Sequence, residues 1–139
     1  MDTIDVNIVS AEGEIFAGPA RMVFLPASEG EIGVTPRHAP LLTLLKPGEV
    51  RVQPPEGEEQ WFYIGGGALE IQPRRVTVLA DTAARARDLD EAAALSARAR
   101  AEEALASKVD KISYAEAQAE LARAIAQLKL IEKLRKVKG

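Results

Sequence analysis

All 8 prolines lie at or before Pro73 and 9 of the 10 glycines at or before Gly67, so residues 74–138 contain neither. Both residue types are costly inside helices and mark turns and strand ends. The first part of the chain, up to about residue 80, therefore reads as short strands and the rest as long helices. Charge changes at the same place. Residues 1–82 carry 6 Lys and Arg against 12 Asp and Glu, a balance of −6, whereas residues 83–139 carry 12 against 9, a balance of +3. Opposed charges fit two surfaces that meet different partners, and equally fit two segments that fold on each other.

The breaker-rich part contains runs with alternating or β-branched residues at 5–9, 21–25, 49–52, 61–64, 69–71 and 75–79. Strands this short and this closely spaced predict an antiparallel β-sandwich, because parallel neighbours need crossovers of about a dozen residues. In the second part, Asp88-Leu89-Asp90-Glu91 has the pattern of a capping box and predicts a helix start, with Asp88 as the cap. Ser113-Tyr114-Ala115-Glu116 repeats the pattern, so residues 107–112 read as the link between two helices. On the second helix Tyr114, Ala117, Leu121, Ala124, Leu128 and Ile131 form a seam at helical spacing, and Ala92, Ala99 and Ala106 step by sevens on the first. The expected fold is an all-β sandwich over residues 1–83 followed by a two-helix hairpin over 84–139, the hairpin being weakly held and able to change its packing.

With 139 residues, 47% of them apolar and 28% charged, the chain has the composition of an ordinary globular domain, and no run of about 18 apolar residues predicts a membrane span. The segment MDTIDVNIVS lacks the basic region and apolar stretch of a signal peptide, which predicts a cytosol-like compartment. The absence of cysteine excludes disulfides, thiolate catalysis and cysteine-ligated metals. A net charge of −3 and 4% aromatic residues argue against nucleic-acid binding.

Catalytic signals are poor. The one histidine, His38, stands between two prolines in Thr35-Pro36-Arg37-His38-Ala39-Pro40 and reads as a turn or interface residue. Gly65-Gly66-Gly67 lacks the Lys-Ser or Lys-Thr of a phosphate loop and reads as a strand junction or bulge. Glu29 and Glu31 flank Gly30 in a polar loop, where solvated acids are the ordinary case. No catalytic set, metal site or cofactor site is expected.

Ser28-Glu29-Gly30-Glu31-Ile32-Gly33-Val34, running into Pro36-Arg37-His38-Ala39-Pro40-Leu41-Leu42-Thr43, and Val76-Thr77-Val78-Leu79-Ala80-Asp81-Thr82-Ala83 resemble the epsilon subunits of bacterial F-type ATP synthases. Tyr114-Ala115-Glu116-Ala117 and residues 120–128 continue the resemblance, which spans essentially the whole chain. It implies a sandwich followed by a helical hairpin, and a non-catalytic rotor subunit that clamps the gamma stalk and rests on the c-ring. The subunit would be a peripheral component on the cytoplasmic face of the plasma membrane, attached only through the complex. By matching position, Ser10, Glu29, Gly30 and Glu31 are the expected c-ring contacts, and Arg37, His38 and Ala39 the expected gamma contacts. The resemblance also implies a hairpin that either folds against the sandwich or extends into the alpha/beta catalytic head, where it opposes ATP hydrolysis.

The last twelve residues hold Lys129, Lys133, Arg135, Lys136 and Lys138 against Glu132 alone, a basic tip that favours the helix dipole and that, as the resemblance implies, docks on an acidic segment of the head. Some family members bind ATP through an Ile/Leu-Asp-x-x-Arg-Ala motif. Here Leu89-Asp90-Glu91-Ala92-Ala93-Ala94 keeps Asp90 but has Ala93 in the arginine position, leaving Arg100 and Arg123 as substitutes, and weak ATP binding or none is expected. The alternative from another class is a stand-alone β-sandwich binding module with a helical arm.

Overall fold

Two long neighbouring strands organise the first half of the molecule. A computed structural model describes residues 2–107 and 110–138, with Lys138 described by its backbone alone. The strands run β1 (Ile4–Ser10), β2 (Gly13–Ala20), β3 (Met22–Ala27), β4 (Gly30–Val34), β5 (Leu41–Gln53), β6 (Gln60–Gln72), β7 (Arg75–Ala80) and β8 (Ala83–Arg85). They form one hydrogen-bonded sheet in the order β2-β1-β7-β6-β5-β3-β4, with β8 also on β6.

The sheet becomes a sandwich because β5 and β6, 13 residues each, turn a corner together. The residues of β6 in the core cluster are Phe62 and Ile64 before Gly65-Gly66-Gly67 and Leu69 and Ile71 after it, with Tyr63 buried outside that cluster, so the core-facing positions change parity across the glycines. Gly67 has φ +143°, and a Cβ there would lie 2.1 Å from Leu79 O. No residue with a side chain fits without moving β7. The glycines thus form the strand junction expected from the sequence, not a phosphate loop. Inward residues of both layers, among them Ile4, Val6, Ile8, Val23, Leu25, Val50, Phe62, Ile64, Leu69, Ile71, Val76 and Val78, build one core and are all 0–1% exposed. This alternation of buried and exposed positions is the pattern that places half of each strand's side chains out of water.

Four details differ from the sequence reading. First, β1 and β7 pair in parallel, Asp5 to Arg75 through Val9 to Leu79. The crossover rule limits consecutive strands, and here the five strands between β1 and β7 supply the connection. Second, β2 and β4 were not expected as strands; both are edges that pair with one neighbour each, where glycines and Pro19 are tolerated. Third, the runs at 61–64 and 69–71 belong to one strand, β6. Fourth, β8 carries the sheet past residue 83, and the chain divides into two compact units, Met1–Arg85 and Ala86–Gly139.

The second unit begins with a single 3-10 turn, Ala86–Asp88, followed by α1 (Glu91–Ala106) and α2 (Lys111–Lys138). The caps lie elsewhere than expected. Asp90, not Asp88, caps α1, its Oδ1 accepting from Ala93 N at 3.1 Å. Asp110, not Ser113, caps α2, its Oδ1 accepting from Ser113 N at 2.8 Å. The buried alanines of α1 are Ala94 and Ala101, the same seven-residue step shifted by two from Ala92 and Ala99, which are exposed. On α2 Ala117, Ala124 and Leu130 are the buried positions, whereas Tyr114 is 43% exposed. Ion pairs Glu91–Arg135 and Arg100–Glu120 cross between the helices in antiparallel order, which makes the pair a hairpin. Of the link expected at 107–112, residues 111 and 112 belong to α2, and 108 and 109 lie outside the described residues.

Candidate functional site

The outer face of the sheet unit carries an apolar patch. Leu42, Leu44 and Leu79 are 75%, 66% and 56% exposed. Register aligns Leu44 with Ala68, Ala68 with Leu79, and Leu79 with Val9, one row across β5, β6, β7 and β1. Leu42 stands in the next row, opposite Glu70. Three exposed leucines thus stand together on one face of the sheet, the kind of contiguous apolar surface that marks interaction sites when it is large enough. The leucines were missed as site residues. Their signal was the failure of alternation in Leu41-Leu42-Thr43-Leu44-Leu45 and in Val78-Leu79-Ala80, where apolar residues occupy both faces of a strand.

Arg37, His38 and Ala39 precede β5 in the loop at one end of this face. Arg37 N donates to Pro73 O at 2.7 Å, which ties the loop to the β6–β7 turn, and the Arg37 guanidinium lies 3.3 Å from Asp2. Arg37 has φ +67°, a left-handed conformation that costs most residues about 1 kcal/mol. His38 Nδ1 donates to Ala39 O at 2.7 Å. Since a carbonyl only accepts, Nδ1 is the donor in this bond.

Ser10 closes β1 at the other end of the face, where its Oγ accepts from Glu12 N at 3.3 Å. The tight turn Ser28-Glu29 joins β3 to β4, with Ala27 paired to Gly30 and Gly30 at φ +137°. Ser28 N donates to Leu44 O at 2.9 Å, so this hairpin tip and Ser10 flank the same row of the sheet, with Glu29 exposed at the turn. Glu31 on β4 meets Arg51, Nη2 to Oε1 3.2 Å.

On the hairpin, Arg135 of the basic tip is paired with Glu91, and Lys136 lies 3.4 Å from Glu132 one turn back. Lys129 and Lys133 are exposed, and the side chain of Lys138 lies outside the described residues. Among the nucleotide candidates, Asp90 serves as a helix cap, Arg100 pairs with Glu120 at 3.3 Å, and Arg123 is half-buried. Asp90 and Arg100 are ten residues apart on α1, about 15 Å along the axis. Among the described residues no group of three or more His, Cys, Asp and Glu is placed to hold a metal ion, and no helix is long and apolar enough to cross a membrane.

Residues 3–86 match the β-sandwich domain of the ATP synthase delta/epsilon chain, and residues 87–132 match the long α-helix domain of the same chain. The chain is 64% identical over 137 residues to the ATP synthase epsilon chain of Nitrosococcus oceani, covering 99% of this chain and 98% of that one. It is 62% identical over 136 residues to that of Alkalilimnicola ehrlichii, covering 98% and 97%. Among solved structures, a chain of the Euglena gracilis mitochondrial ATP synthase shares the fold at TM-score 0.70 and 19% identity, covering 99% of this chain and 82% of that one. A chain of the Tetrahymena thermophila mitochondrial ATP synthase shares it at TM-score 0.66 and 9% identity, covering 94% and 97%. Matched along both its sheet unit and its hairpin, the chain belongs to the ATP synthase epsilon chain family.

Proposed function

We propose that the chain is a non-catalytic rotor subunit of an F-type ATP synthase. Its sheet unit docks on the gamma stalk through the leucine face and the Arg37-His38-Ala39 loop. Ser10 and the Glu29-Gly30-Glu31 hairpin rest on the c-ring, which places the subunit peripherally on the cytoplasmic side of the membrane. The solved chains of the same fold come from assemblies described as F1/c-ring and central stalk/c-ring, which supports this setting. The exposed leucines Leu42, Leu44 and Leu79 on neighbouring rows of one face carry the reading. Each leucine buried on docking contributes up to about 1.5–3 kcal/mol toward offsetting the cost of association. The hairpin, through Lys129, Lys133, Arg135, Lys136 and Lys138, meets the alpha/beta head and opposes hydrolysis. ATP binding by the hairpin is weak or absent, since Asp90 and Arg100 both have structural partners and no arginine stands at position 93.

The test is binding of the purified chain to the isolated gamma stalk. Leu44→Glu and Leu79→Glu, at exposed positions, should leave thermal unfolding within about 0.5 kcal/mol of the parent and abolish binding. Undiminished binding by both folded variants overturns the assignment of this face.

A further inference from the structure

Glu31 is read above as a ring contact, but its side chain is controlled from two strands away. Register pairs Phe24 on β3 with Gly33 on β4 and with Arg51 on β5, so these three positions form a row on the outer face. Gly33 makes room in that row: a Cβ there would lie 2.6 Å from Met22 Cε and 3.2 Å from Phe24 Cε1. With the ring in place over the glycine, the Arg51 guanidinium carbon lies 4.2 Å from the centroid of Phe24. From this platform Nη2 reaches Glu31 Oε1 at 3.2 Å and Nε lies 3.6 Å from Glu49 Oε1. The Arg51 side chain is only 23% exposed, against 51% for Glu31.

Stacking fixes the plane of a guanidinium, and its rigid fork then fixes where an acceptor sits; an ammonium on a flexible stem does neither. A carboxylate already held in one orientation pays less conformational entropy when a partner binds it. We infer that Arg51 is a positioning residue: from the Phe24 platform it holds Glu31 ready for a donor on the polar loops of the ring, and so ties the β3–β4 hairpin to β5. The inference rests on Glu31 being a ring contact. Gly33 and Phe24 belong to the same device, since a Cβ at 33 would press on the edge of the ring on which Arg51 stacks, 3.2 Å from Cε1.

The experiment uses the assembled ATP synthase in inverted membrane vesicles and reads proton pumping per ATP hydrolysed for Glu31→Gln, Arg51→Lys, Arg51→Met and the double variant Glu31→Gln/Arg51→Met. Glu31→Gln should lower the pumping ratio several-fold. Arg51→Lys, which keeps the charge and spares the fold, should lower it to a similar level, and the double variant should be no worse than Glu31→Gln alone. On the isolated subunit, side-chain couplings of Glu31 by NMR should change from one rotamer to an average in Arg51→Lys, a readout that a merely structural role for Arg51 would not move. If Glu31→Gln lowers pumping while Arg51→Lys pumps like the parent with Glu31 still in one rotamer, the positioning role is wrong and the ring contact stands. If Glu31→Gln itself pumps like the parent, the ring-contact reading is wrong and the inference goes with it.

Discussion

Arg135 Nη2 lies 3.0 Å from each carboxylate oxygen of Glu91, which ties the last turns of α2 to the first residue of α1 across 44 positions of sequence. Arg135 also belongs to the basic tip proposed to dock on the catalytic head. In the closed hairpin that cation is engaged, so docking through Arg135 and closure of the hairpin compete for one side chain. Both partners are well exposed, 64% and 46%, so the pair is a weak latch that contributes about 0–1 kcal/mol and weakens with salt.

Glu91→Gln and Arg135→Gln should consequently act in opposite directions. The first opens the latch and leaves the tip intact, so inhibition of ATP hydrolysis by added subunit should strengthen, by up to about fivefold for 1 kcal/mol. The second opens the latch but removes a docking charge, and inhibition should weaken. Reversing Lys133, Arg135 and Lys136 together to Glu should weaken it most, with circular dichroism verifying that the helix survives its less favourable dipole. Titration of ATPase activity at low and high salt measures all three. Equal inhibition by Glu91→Gln and Arg135→Gln at low salt would remove Arg135 from the docking tip.

The sheet unit should fold alone when cut after Arg85, but less well when cut after Thr82. β8 pairs Arg85, Ala84 and Ala83 with Phe62, Tyr63 and Ile64. Arg85 Nη2 also donates to Ile15 O at 3.3 Å, and its guanidinium lies 5.8 Å from the Phe62 ring centroid. Removing these bonds leaves one side of β6 unpaired beside core residues. The shorter fragment should lose about 1–3 kcal/mol in chemical unfolding while remaining cooperative. Loss of cooperativity in the fragment ending at Arg85 would show that the hairpin supplies core to the sheet.

Gly67→Ala should destabilise the protein by about 3 kcal/mol or more, since its Cβ would stand 2.1 Å from Leu79 O and 2.9 Å from Ala80 Cα. Gly13→Ala is the matched control. Its φ of +129° is also unfavourable, but nothing lies within 4 Å of the added atom. Thermal unfolding should separate the two variants clearly; equal losses would mean that backbone conformation alone, not the closeness of β7, requires glycine at 67.

How legible all this was in the sequence depended on the range of the interaction concerned. The division into sheet and hairpin rests on where Gly and Pro occur, and that is local information. The junction at Gly65-Gly66-Gly67 was visible for the same reason. The parallel pairing of β1 with β7 was not, because it is set by strands that intervene in sequence but not in space. Asp88 fits the capping box through Glu91, yet the extended backbone at Asp90, φ −100° and ψ 107°, makes Asp90 the cap. Choosing Ala92 and Ala99 over Ala94 and Ala101 failed because small residues occur all round α1, so spacing alone does not orient it. Glu31 was recognisable by position, whereas its partner Arg51 is 20 residues away and comes near only through the β3–β5 register.

The start of α2 should respond to acid in a way that identifies Asp110 as its cap. Asp110 is exposed, and its carboxyl is held below the usual carboxylate value of 3.8 chiefly by the bond from Ser113 N, with further bonds from the Ser113 hydroxyl and Ile112 N. A group whose pKa is depressed on folding binds protons more readily when unfolded, so its contribution to stability is complete above the unfolded value. That contribution fades as pH falls through the lower, folded value. No change is therefore expected between neutral pH and about pH 5, and loosening of the first turn is expected only below the ordinary carboxylate range. Carboxyl chemical shifts of Asp110, read together with amide exchange at Ser113, should move in step over that acidic window. Asp110→Asn keeps an acceptor at the cap without a titrating group, and its Ser113 exchange should follow only the intrinsic pH dependence of exchange. If the parent and Asp110→Asn show the same acid profile at Ser113, another group governs the first turn, and Asp110 is not the cap that holds it.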